Sequence, residues 1–242
     1  DNCLNLIASE NYINPTVRKY LNSDLCGRYG CYEGLEGEDR EYTGNKYIKE
    51  IESKTIELVK DVFKADYCDL RAIGGHIAGV ASVLALTDPE DLIMEVILEN
   101  WGHGLIEPMA ETVEHFGRVF NVEAIPYQEN QTIDTEKFIA EIRLKKPKLI
   151  ILGSSGMLFP EGVAEIAAAA EEVGSYLIHD ASHISGLIAG GVFPNPLEEG
   201  ADLMFCSTHK SFPGPQGGII LYNSKEIMQK VNRVMPSLVT SH

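Results

Sequence analysis

Five short apolar runs recur along this chain: Leu92–Leu98, Lys148–Gly153 (KLIILG), Tyr176–Asp180 (YLIHD), Leu203–Cys206 and Gly218–Tyr222. Their cores are continuous Ile and Leu, without the alternation of a half-solvated strand, so both faces of each must be covered. The stretches between them have a different period. Tyr47 to Phe63 repeats apolar residues at Ile48, Ile51, Leu58, Val59, Val62 and Phe63, which is helical spacing. Glu161–Val173 is Ala-rich and reads as a helix. Residues 76–86 (HIAGVASVLAL) are small and apolar behind Gly74-Gly75, and read as a buried helix starting at a glycine turn. Strand, helix and strand in that order demand crossover connections. The fold class is therefore α/β, a three-layer, mostly parallel sheet with helices on both faces. Residues 1–46 are rich in Gly, Tyr and Glu and read as an N-terminal arm. Residues 47–242 read as one large domain.

Composition narrows the possible partners. The 242 residues hold 20 Lys+Arg against 36 Asp+Glu, a net charge of −16. Such a chain repels phosphate backbones, so nucleic acid is not an expected partner. No apolar run reaches the ~18 residues of a membrane span, and no membrane partner is expected. The cysteines are Cys3, Cys26, Cys31, Cys68 and Cys206, an odd number with no CxxC pair. Neither a zinc ribbon nor a disulfide scaffold fits, so no metal is expected and a reducing cytoplasm is. The chain opens on Asp1 and runs to Ser241-His242, and it reads as part of a longer protein.

A sheet of this kind binds ligands beyond the carboxyl ends of its strands. Strand 148–153 leads into Ser154-Ser155-Gly156. Strand 176–180 ends in Asp180, before Ala181-Ser182-His183. Strand 203–206 leads into Ser207-Thr208-His209-Lys210. Taken singly these residues are ordinary: Lys210 a surface lysine, His183 a core histidine, Asp180 a helix cap, Gly74-Gly75 a turn. Together they have a common chemistry. A lysine after a strand, among hydroxyls and histidines, suits covalent capture of a carbonyl. An aspartate at the next strand end suits a protonated pyridine nitrogen. A glycine-rich helix start suits a phosphate, through free N–H groups and the helix dipole. The combination describes pyridoxal phosphate.

The sequence also resembles the serine hydroxymethyltransferase family, of the aspartate-aminotransferase-like class. The resemblance rests on LIASENY at 6–12, EG at 33–34, REYTG at 40–44, VGSYLIHDASHISGLIAGGVFPNP at 173–196 and STHKSFPGPQGG at 207–218. It implies cleavage or formation of the Cα–Cβ bond of a β-hydroxy amino acid, with serine–glycine hydroxymethyl transfer to tetrahydrofolate as the leading example. Threonine aldolase or transaldolase and α-methylserine chemistry are close variants. Aminotransferase chemistry and a non-catalytic paralogue are more distant ones. The resemblance implies that Lys210 holds the cofactor covalently and Asp180 pairs with its ring nitrogen. It sets His183 near the ring oxygen with Ser155 beside it, and Gly75, His76 and His209 around the phosphate. Ser9 would meet the substrate carboxylate. Glu33 would handle the proton of the substrate hydroxyl, with Tyr42 in the same site. Glu33 and Tyr42 act across a subunit interface in the family, which implies a homodimer or a dimer of dimers.

The chain departs from the family pattern at several places. Ser-Gly-Ser becomes Gly74-Gly75-His76. A ring-stacking histidine becomes Asn100, with Trp101 and His103 as the available substitutes. Gly-Pro-Arg-Gly-Gly becomes Gly214-Pro215-Gln216-Gly217-Gly218. The stretch from Glu33 to Tyr42 is altered, and Pro236-Ser237-Leu238-Val239 stands where a glycine-rich loop is usual. The small C-terminal domain of the family, with its carboxylate-binding arginine, lies outside this sequence. Arg233, in the helical context KEIMQKVNRVM, reads as a surface residue.

Overall fold

A computed structural model describes residues 4–30, 32–33, 39–40, 42–114 and 120–239, without the side chains of 32–33, 39–40, 43 and 111–114. The arm contributes helix α1 (Pro15–Tyr20) and two short paired strands, β1 (Tyr32–Glu33) and β2 (Asp39–Arg40). After it come α2 (Lys46–Phe63), β3 (Tyr67–Asp69), α3 (Gly75–Leu86), β4 (Leu92–Glu95), α4 (Glu107–Glu114), β5 (Asn121–Ala124) and α5 (Thr135–Lys145). The remainder is β6 (Leu149–Leu152), α6 (Val163–Val173), β7 (Tyr176–Asp180), α7 (Ser185–Ala189), β8 (Leu203–Ser207), β9 (Gly218–Tyr222) and α8 (Lys225–Leu238).

Seven strands form one sheet in the order β3-β9-β8-β7-β6-β4-β5. From β5 through β4, β6 and β7 to β8 the pairing is parallel. Strand β9 runs against both β8 and β3. The reason is connection length: Thr208 to Gly217 is too short for the crossover of a dozen or more residues that a parallel return needs.

The continuous apolar runs are explained by two buried faces. Ile93, Leu149, Ile151, Ile178, Leu203, Phe205 and Ile220 pack with α3 and α8 on one side. Their neighbours alternate to the other side. Met94, Ile150, Leu152 and Leu177 meet α5 and α6, while Met204, Cys206, Ile219 and Leu221 meet α7 and Phe63 of α2. Ile150 is fully buried, and truncating such a side chain to Ala removes about 2–5 kcal/mol. Helix α3 is apolar almost all round, and eight of its twelve residues are buried, as a helix without a polar face requires.

Several boundaries differ from the sequence expectation. Strand β4 stops at Glu95 instead of running to Leu98. The chain turns there into a short 3₁₀ helix at Leu98–Asn100, closed by Trp101 in the left-handed region at φ 61°. Helix α6 begins at Val163, after Gly162. Strands β3 and β5 and helix α5 carried no clear apolar run. They are the two sheet edges and a helix capped by Asp134, whose carboxylate accepts from the Lys137 N–H at 3.2 Å.

Register brings three strand ends level: Leu152 lies opposite His179, and Asp180 opposite Phe205. The chain leaves β4 towards β5 on one side, then fills β6, β7 and β8 on the other. The reversal falls between β4 and β6, where a crevice opens at the carboxyl edge.

Candidate active site

Five segments meet at that edge: the start of α3, the loop after β4, the β6 end, the β7 end and the loop after β8. Among the loop after β4 and the β6 and β7 ends is a cleft of about 200 Å³ lined by Gly102, His103, Ser154, Ser155, Asp180 and His183. Two glycines let the backbones close up. Gly153 has φ +109°, and a Cβ there would stand 2.2 Å from the Asp180 carbonyl oxygen. Gly75 opens α3 against β8, and its Cβ would stand 2.3 Å from Ser207 Oγ and 2.9 Å from Ser182 Oγ. Ser182 in turn accepts the Ser207 N–H at 3.0 Å, tying the β7 end to the β8 end.

Lys210 reaches back from the loop after β8. Its Nζ lies 3.1 Å from His183 Nε2. Burial holds the Lys210 amine below the ordinary lysine range, and the Asp180 carboxylate opposes that shift. Burial and then the Lys210 charge lower His183 in the same way. Both shifts ease loss of a proton, and it is the deprotonated amine of a lysine that is the nucleophile. The Asp180 carboxylate is oriented by the Ser182 N–H, which donates to Oδ1 at 2.9 Å. Asn11, two residues beyond Ser9, donates to the Lys210 carbonyl at 2.5 Å, so the arm passes directly over the lysine loop.

The residues singled out in the sequence are distributed unevenly. Lys210, His183, Asp180, Ser155, Gly75 and His76 gather at the edge. The Ser155 hydroxyl and N–H both donate to the Trp101 carbonyl, at 2.9 and 2.7 Å, and do not bond His183. His209 adjoins Lys210; burial lowers its imidazole, and its buried Nδ1 has no partner among the described residues. Ser9 and Tyr42 lie exposed on the arm, where Tyr42 meets Tyr29 edge-on. The side chain of Glu33 lies outside the described residues. Of the two substitutes for a stacking histidine, His103 lines the cleft, whereas Trp101 is 59% exposed and lies against Gly156. Arg233 is exposed. Ser182 and Asn11 were not singled out, although both stand inside the quoted segments DASH and SENY.

A larger hollow of about 600 Å³ lies elsewhere, between α2, β3 and α8. Its cysteine, Cys68, is a poor nucleophile, because burial and then Asp69 push the thiol well up. Arg71 on its wall is engaged by Asp69 and Asn232. Asp180, His183 and Ser155 line the smaller cleft, and Lys210 reaches His183 beside it.

The family model described as serine hydroxymethyltransferase matches residues 1–239. This chain belongs to the serine hydroxymethyltransferase family. It is 44% identical over its whole length to a serine hydroxymethyltransferase of Methanosphaera stadtmanae, and 40% identical to that of Korarchaeum cryptofilum. It spans 56% and 57% of those two proteins. Among solved structures, an L-threonine transaldolase from Pseudomonas fluorescens in its internal aldimine state is similar, with TM-score 0.86 and 28% identity. That match covers 98% of this chain and 54% of the transaldolase. The chain thus corresponds to about half of each relative.

The donor set at the edge fits the family's cofactor, pyridoxal phosphate. A half-buried lysine amine lowered from its ordinary range, an oriented carboxylate at the neighbouring strand end, and a helix start whose first N–H groups lack intrahelical acceptors are what that molecule needs. The buried Nδ1 of His209, next to Lys210, has no partner among the described residues and is a further polar atom at this edge.

Proposed function

We propose that the protein of which this chain is part is a pyridoxal-phosphate enzyme that cleaves and forms the Cα–Cβ bond of a β-hydroxy amino acid. Its leading reaction is hydroxymethyl transfer between serine and glycine with tetrahydrofolate. The observation that carries this reading is the half-buried Lys210–His183 pair, 3.1 Å apart and within the field of Asp180. When bound, pyridoxal phosphate draws electron density from the Cα of an attached amino acid.

The protein's own residues supply the rest. Lys210 would hold the cofactor through its amine. Asp180 would pair with the ring nitrogen and favour its protonated form by a charge-assisted hydrogen bond. The first N–H groups of α3 at Gly75 and His76, with His209, would hold the phosphate. His183 and Ser155 would hold the ring oxygen, and His103 would stack on the ring. On the resemblance, Ser9 meets the substrate carboxylate, and Glu33 with Tyr42 reaches the substrate from a second copy. Glu33 moves the proton of the substrate hydroxyl, a step that Cα–Cβ cleavage requires and transamination does not.

A homodimer, or a dimer of such dimers, belongs to the same reading. It is supported by apolar side chains left open on the arm, Leu4 at 89% and Leu6 at 88% exposed among them. A cytoplasmic location is supported by the unpaired thiols of Cys26, Cys68 and Cys206. A second reading, a threonine aldolase or transaldolase, is favoured by the likeness to the transaldolase structure.

The test is product analysis of the full-length protein given serine, threonine or α-methylserine, with and without tetrahydrofolate. Glycine formation with release of an aldehyde is expected, together with exchange of a Cα proton of glycine in heavy water. Faster turnover of serine when folate is present selects the first reading; folate-independent cleavage of threonine selects the second. Accumulation of the cofactor's amine form with a keto acid would overturn both.

A further inference from the structure

The start of α3 carries a histidine, His76, where the family pattern has a serine. Its Nδ1 stands 2.9 Å from Nε2 of His103. The rings meet edge to face, with centroids 5.2 Å apart at 61°. Both side chains are exposed on backbones that are held. His76 stands on the first turn of α3, where the Ala78 N–H donates to the Gly74 carbonyl at 3.0 Å. His103 stands between the buried Gly102 and Gly104, and the Gly102 N–H donates to the Ile97 carbonyl at 3.0 Å. His103 also lines the cleft with Asp180 and His183.

A hydrogen bond between two imidazoles needs a proton on one nitrogen and a lone pair on the other, so it sets the orientation and tautomer of both rings. We propose that His76 is a positioning residue: through its bond to His103 it fixes that imidazole over the cofactor cleft. The inference rests on the cofactor reading above. Burial and the neighbouring His103 both lower His76, against the pull of Asp180. Near neutrality it is therefore an uncharged hydrogen-bonding ring and not a cation for the phosphate.

The experiment uses full-length protein freed of cofactor, titrated with pyridoxal phosphate and with pyridoxal, which lacks the phosphate. Binding is followed by visible absorbance. His76→Ala and His103→Ala should each weaken both ligands about tenfold, as loss of one well-placed hydrogen bond would. The double variant should be no weaker than either single one, because the residues act as one unit. His76→Asn, which keeps a polar atom at the place of Nδ1, should recover most of the loss. Additive losses would overturn the proposal, as would a loss confined to pyridoxal phosphate, since His76 would then act on the phosphate directly. If the unaltered protein gives no band with either ligand, the cofactor reading falls and the inference with it. If it binds normally and only the coupling is missing, the cofactor reading stands and the inference alone fails.

Discussion

The carboxyl edge of the sheet and the N-terminal arm divide the candidate chemistry between them, and they are held in opposite ways. At the edge, every reactive side chain has a packed strand or helix behind it. Ile178, Phe205 and Ala181 beside Asp180 and Lys210 are fully buried. On the arm, Gly30 alone among residues 4–30 is buried. Asn11 ties the arm to the reactive region by a bond to the Lys210 carbonyl. A side chain is placed to within about 0.5 Å only when neighbours lock it there. The edge meets that condition inside one chain, whereas Ser9 and Tyr42 need further surface to pack against.

The largest test of this contrast is Lys210→Ala. Activity of the full-length protein should fall below about one-thousandth of its original value, and borohydride should no longer fix the cofactor to the peptide holding position 210. Fixation at Lys60 or Lys148 in the unaltered protein would remove the edge from the chemistry. Next, Asp180→Asn should keep much of the bound cofactor while turnover drops about 10²–10³-fold. Turnover near the original level would show that the carboxylate does not set the ring's charge.

The arm is tested by mixing two inactive proteins, Glu33→Gln and Lys210→Ala. If the arm serves a second copy, exchange of subunits should restore part of the activity, with mixed dimers verified by tagged pull-down. Verified exchange without recovery would assign the arm to its own chain.

Gly75→Ala sharpens the edge. The new Cβ would press on Ser207 Oγ at 2.3 Å and its backbone N at 3.1 Å. Overpacking of this kind removes about 1–3 kcal/mol, to be read from urea unfolding. A variant as stable as the parent would show that the edge is loosely packed.

The smallest effect is in pH. His76, His183 and His209 are all lowered from 6.5, with burial the first cause each time. Below that value the unfolded chain takes up protons that the folded chain resists, so the folded state loses stability as pH falls through about 6.5. Unfolding measured between pH 7.5 and about pH 5.5 should show this decline, and His183→Asn should flatten it. An unchanged slope would mean that His183 titrates freely despite its surroundings.

Much of the architecture was legible. Strands β7 and β9 have the expected limits, because both begin and end at clear changes of composition. Strands β3 and β5 were not legible: they are short edge strands, and Asn121 and Ala124 of β5 are exposed. The reversal of β9 left a trace in the brevity of the loop from Thr208 to Gly217, a signal that strand propensity does not contain. In the site, Lys210, Asp180 and His183 stood out because Asp180 ends a strand and the other two closely follow one. Ser182 and Asn11 did not, since a serine between β7 and β8 becomes a clamp only once Ser207 is beside it.

The order of buried runs and helical stretches determined the sheet, its two covered faces and the edge where reactive residues collect. Periodicity along a chain records which faces must leave water, and this chain records it plainly. Tertiary structure decided what periodicity cannot hold. It set Lys210 3.1 Å from His183, turned Ser155 towards Trp101, and joined His76 to His103 across a gap of 27 residues. Those distances depend on strand register and on glycine-permitted close approach. Both are fixed only when distant segments pack against one another.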